Sequence, residues 1–213
     1  MQTVNLGVDL LVFMPSDYNT TQDYRVKGSK FDDRVYTFSG NDTVKGGCGD
    51  DFLWTGAGDD TVEGGSGRDR IFGGSGDDVL YGGKGNDLIT AGNGNNILKG
   101  GCGHDRITIN GTWGDNKLVG GCGNDVFTVL TNEGKNRVCG GSGADTLRVA
   151  PYGSLTTFKD FVYGEDVIEI VGSSNDVTVK CGDVFYDGLK VIETSYNSLT
   201  VEDLVFSPSS TIG

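Results

Sequence analysis

The residues with chemical potential in this chain are aspartates at fixed intervals. Asp33, Asp51, Asp69, Asp87 and Asp105 stand 18 residues apart, and Asp125 and Asp145 continue the row at steps of 20. Asp42, Asp60 and Asp78 form a second row with the 18-residue step. Carboxylates are hard, anionic oxygen donors. Together with carbonyls they are what a calcium ion collects, six to eight at about 2.3–2.6 Å. The charge balance points the same way: 30 acidic side chains against 17 Lys and Arg give the 213-residue chain a formal net charge of −13. That balance disfavours nucleic acid, which rewards clustered cations, and anionic membrane surfaces. An acidic surface kept only for solubility has no need of regular spacing.

Other chemistry is poorly provided for. His104 is the single histidine, so an HExxH zinc site is excluded, and no GxSxG elbow is present. Cys48, Cys102, Cys122, Cys139 and Cys181 show no CxxC spacing, which removes the zinc and thioredoxin readings. A non-enzymatic protein is expected.

The elements that position the aspartates are repeats of nine residues. Residues 64–90 read GGSGRDRIF, GGSGDDVLY, GGKGNDLIT. Counting in this phase gives thirteen units between residues 28 and 148, interrupted only by two-residue insertions at Ile109–Asn110 and Val129–Leu130. The eighth position reads Val35, Val44, Leu53, Val62, Ile71, Leu80, Ile89, Leu98, Ile107, Leu118, Phe127, Val138 and Leu147, apolar throughout. Positions 7–9 are read as a three-residue strand with its middle side chain inward. Positions 1–6 are read as a turn whose glycines permit positive φ and close backbone approach. Two units then complete a coil, odd units stack on odd and even on even, and about six and a half coils make a rod about 30 Å long. The fold class expected is all-β, a right-handed parallel β-roll.

The unit GGxGxDxUx is a known signature of calcium-binding parallel β-helices, and the chain resembles the repeats-in-toxin (RTX) family over about residues 28–170. The resemblance implies Ca2+ as cofactor, held between turn n and turn n+2, with interior aspartates bridging two ions. The metal residues it implies are the ten aspartates named above. With them goes the turn backbone of Gly46, Gly47, Gly49, Gly64, Gly65, Gly67, Gly73, Gly74, Gly76, Gly82, Gly83 and Gly85. The same applies to Gly100, Gly101, Gly103, Gly120, Gly121, Gly123, Gly140, Gly141 and Gly143.

The two rows differ. Position 6 of the odd units is aspartate from Asp33 to Asp145. Position 6 of the even units changes after Asp78 to Asn96, Asn116 and Asn136, where AGNGNN, GTWGDN and TNEGKN replace the glycine pattern. One edge is therefore expected to carry calcium along its length and the other only in its N-terminal half. An asparagine ladder, bonding to turn backbone and to itself, replaces the ions in the other half. Six inter-turn sites on the odd side and two on the even side give about seven or eight ions, because the first odd turn, GSKFDD, lacks two glycines. Their charge roughly cancels −13. Without calcium the stacked carboxylates repel and the glycine-rich turns lose much entropy on ordering, so the metal-free array is expected to be largely disordered.

Position 9 of the odd units makes an outward row of Tyr36, Trp54, Phe72, Thr90, Thr108, Thr128 and Arg148. Cross-strand pairing explains it; a face for self-association, or for glycan or protein contact, through Tyr36, Trp54 and Phe72 is the alternative. Asp50, Asp59 and Asp77 at position 5 read as solvent-facing charge. Cys102 and Cys122 occupy the same position in neighbouring odd turns, within the Cα range of a disulfide, and are read as two stacked thiols pointing the same way.

Residues 1–27 are expected to form an N-terminal cap, with Asn19–Lys27 as a decayed turn, and residues 149–213 a β cap. Strands are expected there at Val167–Val171, Asp176–Cys181, Leu189–Glu193 and Leu199–Phe206. Residues 155–170 look like the capping segment that follows RTX arrays, and the terminal SPSSTIG is compatible with the family's uncleaved type I secretion signal. The apolar run Leu10–Met14 is too short for a cleaved signal or a membrane span. Taken together, the expectation is an extracellular or cell-surface structural, adhesive or surface-layer protein without a cleaved leader. A polysaccharide-binding accessory module, and an intracellular or virion spacer, are the alternatives.

Overall fold

The computed structural model describes residues 2–5, 12–13, 22–131, 133–150, 155–162, 164–171, 177–180, 183–186, 189–194 and 203–207. Asn19, most of the run at residues 10–14, Cys181 and the tail from Pro208 lie outside the described residues. Every element among the described residues is a strand, and no helix is long and apolar enough to cross a membrane.

The inward apolar residue at each ninth position builds two facing parallel sheets. Strands β3 (Tyr24–Lys27), β5 (Thr43–Cys48), β7 (Thr61–Ser66), β9 (Val79–Lys84), β11 (Ile97–Cys102), β13 (Lys117–Cys122) and β15 (Lys135–Ser142) stack in one. Strands β4 (Arg34–Tyr36), β6 (Phe52–Ala57), β8 (Arg70–Ser75), β10 (Leu88–Ala91), β12 (Arg106–Ile109), β14 (Val126–Val129) and β16 (Thr146–Val149) stack in the other. Even units thus build the first sheet and odd units the second. Register pairs like with like: Val62 with Leu80, Leu80 with Leu98, Leu53 with Ile71, Ile107 with Phe127. All thirteen eighth-position side chains are fully buried, so the core is two facing columns one side chain deep.

Strands are longer than the three residues expected where the glycine pattern is intact. In β5 to β9 pairing continues through positions 1–3, as in Gly47 with Gly65 and Gly65 with Gly83. Glycines carry no Cβ to obstruct the next coil, so the ladder runs on into the turn. In the turn at residues 64–69, Gly65 and Gly67 hold φ of 120° and 130°, and a Cβ on Gly64 would strike the Asp69 carboxylate. Phe38, at a second position, takes φ 69° without being glycine, and its ring packs 5.2 Å from Trp54. The insertions bury Ile109 and Val129, which pair with each other and with Ala91 and Val149. They add a third, shorter apolar column beside the two of the core.

Stacking continues beyond the thirteen units. At the N-terminal end β1 (Gln2–Asn5) pairs with β3 and β2 (Val12–Phe13) with β4. At the other end β17 (Leu155–Phe158) follows β15, and β18 (Val167–Val171) follows β16. Next come β19 (Val177–Lys180), β20 (Asp183–Tyr186), β21 (Leu189–Thr194) and β22 (Leu204–Ser207). β22 extends the second sheet, while β21, β20 and β19 finish the first, the last two pairings antiparallel. The C-terminal strands expected from the sequence are present in their described parts.

Truncating one rung of the core separates its two faces. Ile71→Ala is expected to lower stability by about 2–5 kcal/mol, read from the denaturant midpoint at saturating calcium. Thr108→Ala on the outward row should change it by no more than about 0.5 kcal/mol.

Candidate metal centre

The turns between the sheets bring the position-6 residues into two buried columns. All ten aspartates and the three asparagines are at most 2% exposed. Each carboxylate has one oxygen occupied. Asp51 N–H donates to Asp69 Oδ1 at 2.9 Å, Asp69 N–H to Asp87 Oδ1 at 2.8 Å, and Asp87 N–H to Asp105 Oδ1 at 2.8 Å. The even column runs alike, Asp42 N–H to Asp60 Oδ1 at 2.7 Å and Asp60 N–H to Asp78 Oδ1 at 3.1 Å. One side chain thus ties its own turn to the coil before it.

The second oxygen is different. Oδ2 of Asp42, Asp51, Asp60, Asp69, Asp78, Asp87, Asp105 and Asp125, and Oδ1 of Asp33, are buried without a hydrogen-bond partner. Buried polar atoms are ordinarily paired, and a buried charge left unpaired is costly. A row of such oxygens, one per turn at coil spacing, fits a hard divalent cation between turns. Among the described residues no three His, Cys, Asp or Glu side chains converge on one point. Each turn contributes a single carboxylate, so the remaining donors to a cation would be backbone carbonyls.

The RTX calcium-binding nonapeptide repeat matches the chain in four copies, at residues 25–53, 36–71, 72–107 and 110–147. The chain belongs to this family. It is a calcium-binding β-roll protein. Comparison with curated proteins finds no match to the chain.

Within the RTX array the asparagines form the ladder that the sequence implies. Asn96 Nδ2 donates to Gly92 O at 3.2 Å, Gly94 O at 3.0 Å and Asn116 Oδ1 at 3.0 Å. Asn116 Nδ2 donates to Gly114 O at 3.1 Å and Asn136 Oδ1 at 2.8 Å, and Asn136 Nδ2 to Thr131 Oγ1 at 2.9 Å. Where the carboxylates leave an oxygen orphaned, the amides put a donor. Asn96 also receives Asp78 N–H on Oδ1 at 3.0 Å, so the backbone tie survives the exchange.

Two features escape sequence reasoning. Asp166, outside the repeats, extends the odd column: its Oδ1 accepts Asp145 N–H at 2.9 Å and its Oδ2 accepts Val162 N–H at 2.7 Å. The signal is the surviving Asp166-Val167-Ile168, an aspartate two before an inward apolar residue, with the glycines gone. The second is a ladder at position 5. Asp59 Oδ1 accepts Asp77 N–H at 2.8 Å, Asp77 Oδ1 accepts Asn95 N–H at 2.7 Å, and Asp50 Oδ1 accepts Arg68 N–H at 2.7 Å. His104 joins it through Nδ1, accepting Asn124 N–H at 2.8 Å. Asp50, Asp59 and Asp77 are exposed, as expected, and each also holds a turn to the coil above. The aromatic row is half-buried and self-packed, with Tyr36 6.2 Å from Trp54 and Phe52 5.4 Å from Phe72.

Burial pushes the carboxyls of Asp51, Asp60, Asp78, Asp87 and Asp125 up to about 7, and those of Asp69 and Asp145 to about 6, from 3.8. Asp42 and Asp105 move the same way for the same reason. The hydrogen bond from the preceding coil opposes the shift without cancelling it. The metal-free fold therefore holds protons that the unfolded chain releases. Its stability from these groups is full below about pH 4 and is lost as pH rises through about 6–7. Calcium-free protein should gain β-sheet circular dichroism on acidification from about pH 8 to about pH 5, and lose it on return. A signal flat or falling over that range contradicts the expectation.

Proposed function

We propose that the ten aspartates of the two columns, with the turn backbone of the glycines beside them, hold calcium between successive turns of each edge. About seven or eight ions follow, most on the odd edge and two between Asp42, Asp60 and Asp78. The observation that carries this reading is the row of orphaned oxygens that ends where asparagine begins. Asn96 Nδ2 sharpens it. One nitrogen there gathers two turn carbonyls and a side-chain oxygen, the acceptor set that a cation would otherwise gather. Odd turns such as that of Asp69 have the same carbonyls, at Gly65 and Gly67, with a carboxylate in place of the amide.

Bound calcium supplies the charge that lets these carboxylates remain ionised while buried. The chain's own residues do the rest. Oδ1 fixes the spacing of the coils, and the apolar column closes the interior against water. First-position glycines leave room beside the second oxygen on the odd edge and at Gly73, while Thr37 and Thr55 stand there in the turns of Asp42 and Asp60. On this reading residues 28–148 are a calcium-dependent array with caps on either side, and the protein is not catalytic. The role that fits is extracellular or at the cell surface, structural or adhesive, where calcium is plentiful after export and folding waits for it. Detection of the protein in the medium or on the surface of producing cells tests the location. A groove of ≈370 Å³ beside Trp54 and Phe72, bordered by Thr90, Asn93 and Thr112, supports the second reading, a polysaccharide-binding accessory module, which a glycan array tests.

Chelation separates the folding claim from its alternatives. Removal of calcium at neutral pH is expected to abolish most of the β-sheet signal, and readdition to restore it; a far-UV spectrum indifferent to chelator contradicts the claim. Asp87→Asn, inside the odd row, should raise the calcium midpoint more than Asp78→Asn at the end of the even row, because Asp87 faces two sites and Asp78 one.

A further inference from the structure

Cys102 and Cys122 are the last residues of β11 and β13 and are partners in the parallel register. Their sulfurs lie 3.2 Å apart, and both side chains are exposed. Neighbouring strands hold their Cα atoms about 4.8 Å apart, inside the range a disulfide spans. The other described cysteines lack such a partner: Cys48 stands beside Ser66, and Cys139 beside Val119.

We propose that Cys102 and Cys122 are an oxidisable dithiol that closes to a disulfide across two coils of the odd edge. The oxidant is a low-molecular-weight disulfide of the glutathione type. The sulfur of one cysteine attacks it, forming a mixed disulfide, and a small thiol leaves with the proton. The sulfur of the other cysteine then attacks the mixed disulfide, and the second small thiol leaves. Two S–H bonds and one small disulfide become one protein disulfide and two small thiols, a transfer of two electrons.

The position gives the bond a purpose. The loop it closes, residues 102–122, contains the even turn at 111–116, where neutral Asn116 stands in the column. This coil has a buried carboxylate only on its odd edge, at Asp105, the even turn offering only the exposed Asp115, and it carries the inserted Ile109 and Asn110. A disulfide restricts the unfolded chain over this stretch, where only the odd edge puts a buried carboxylate in place for an ion. Oxidised protein should therefore fold at about half the calcium concentration that reduced protein needs, the entropic gain being shared among several cooperatively bound ions. That second effect rests on calcium-dependent folding; bond formation does not.

The test uses the full chain with Cys48, Cys139 and Cys181 replaced by serine, folded in calcium and exposed to glutathione disulfide. Loss of both free thiols, with a linked peptide pair joining Cys102 to Cys122 within one monomer, is the expected result. Persistent thiols, two retained glutathione adducts or a dimer linked through these residues would overturn the proposal. The calcium midpoint is then compared between oxidised and reduced forms, with Cys102→Ser as the control that should not respond to oxidant. A linked pair with an unchanged midpoint removes the staple role. A fold that ignores chelator in both forms removes the calcium reading and leaves the bond.

Discussion

A buried carboxylate oxygen without a partner, repeated at every coil, is the constraint to which the rest of this structure answers. The backbone supplies each of these aspartates with one N–H, from the coil before, except at Asp33, where Ser29 of its own turn donates. Apolar columns fill the interior and turn glycines bring neighbouring coils into contact. The only side-chain donors near these carboxylates among the described residues are the hydroxyls of Thr37 and Thr55, beside Asp42 and Asp60. What remains is an anionic oxygen facing turn carbonyls, an arrangement of acceptors only. It is stable with protons or with a cation, and the protons are lost as pH rises through about 6–7. The columns exist only when the coils are stacked, so an ion held between turns is held by the folded array alone.

The even edge shows the same constraint answered without charge. After Asp78 the chain changes several things together. The carboxylate becomes an amide, Ala91 stands where the turn of Asp78 has Gly73, and two insertions bury Ile109 and Val129 under the turns. Each change makes sense beside the others. An amide donor satisfies the carbonyls, so room for an ion is not needed and apolar volume can fill it. From Gly46 to Asp145 the odd edge keeps glycine and aspartate, so the C-terminal coils are held differently on their two sides.

Much of this was legible in the sequence because a solenoid converts sequence period directly into spatial neighbourhood. An apolar residue every ninth position gives both sheets and their pairing. Sorting position 6 into odd and even units gives both columns, including the asparagine ladder, whose hydrogen bonds follow from stacking like residues. What was not legible depends on backbone detail. Strands run through positions 1–3 because glycine leaves the ladder unobstructed, which composition alone reads as turn. The position-5 ladder is built from Asp, Asn and His104, types that read equally well as ordinary surface. Asp166 keeps the odd column's hydrogen bond after the glycines and the 18- or 20-residue spacing have gone, so periodicity loses it while geometry keeps it.

Where the columns hold calcium, and where they do not, is the point that decides between ion and amide. The most direct measurement is a high-resolution crystal structure of the calcium-loaded protein with the anomalous signal of calcium mapped along both edges. Anomalous peaks should follow the odd edge without a break from the Asp51 turn to the Asp145 turn, and on the even edge stop near Asp78. Peaks beside Asn116 and Asn136, or an odd edge without them, would contradict it.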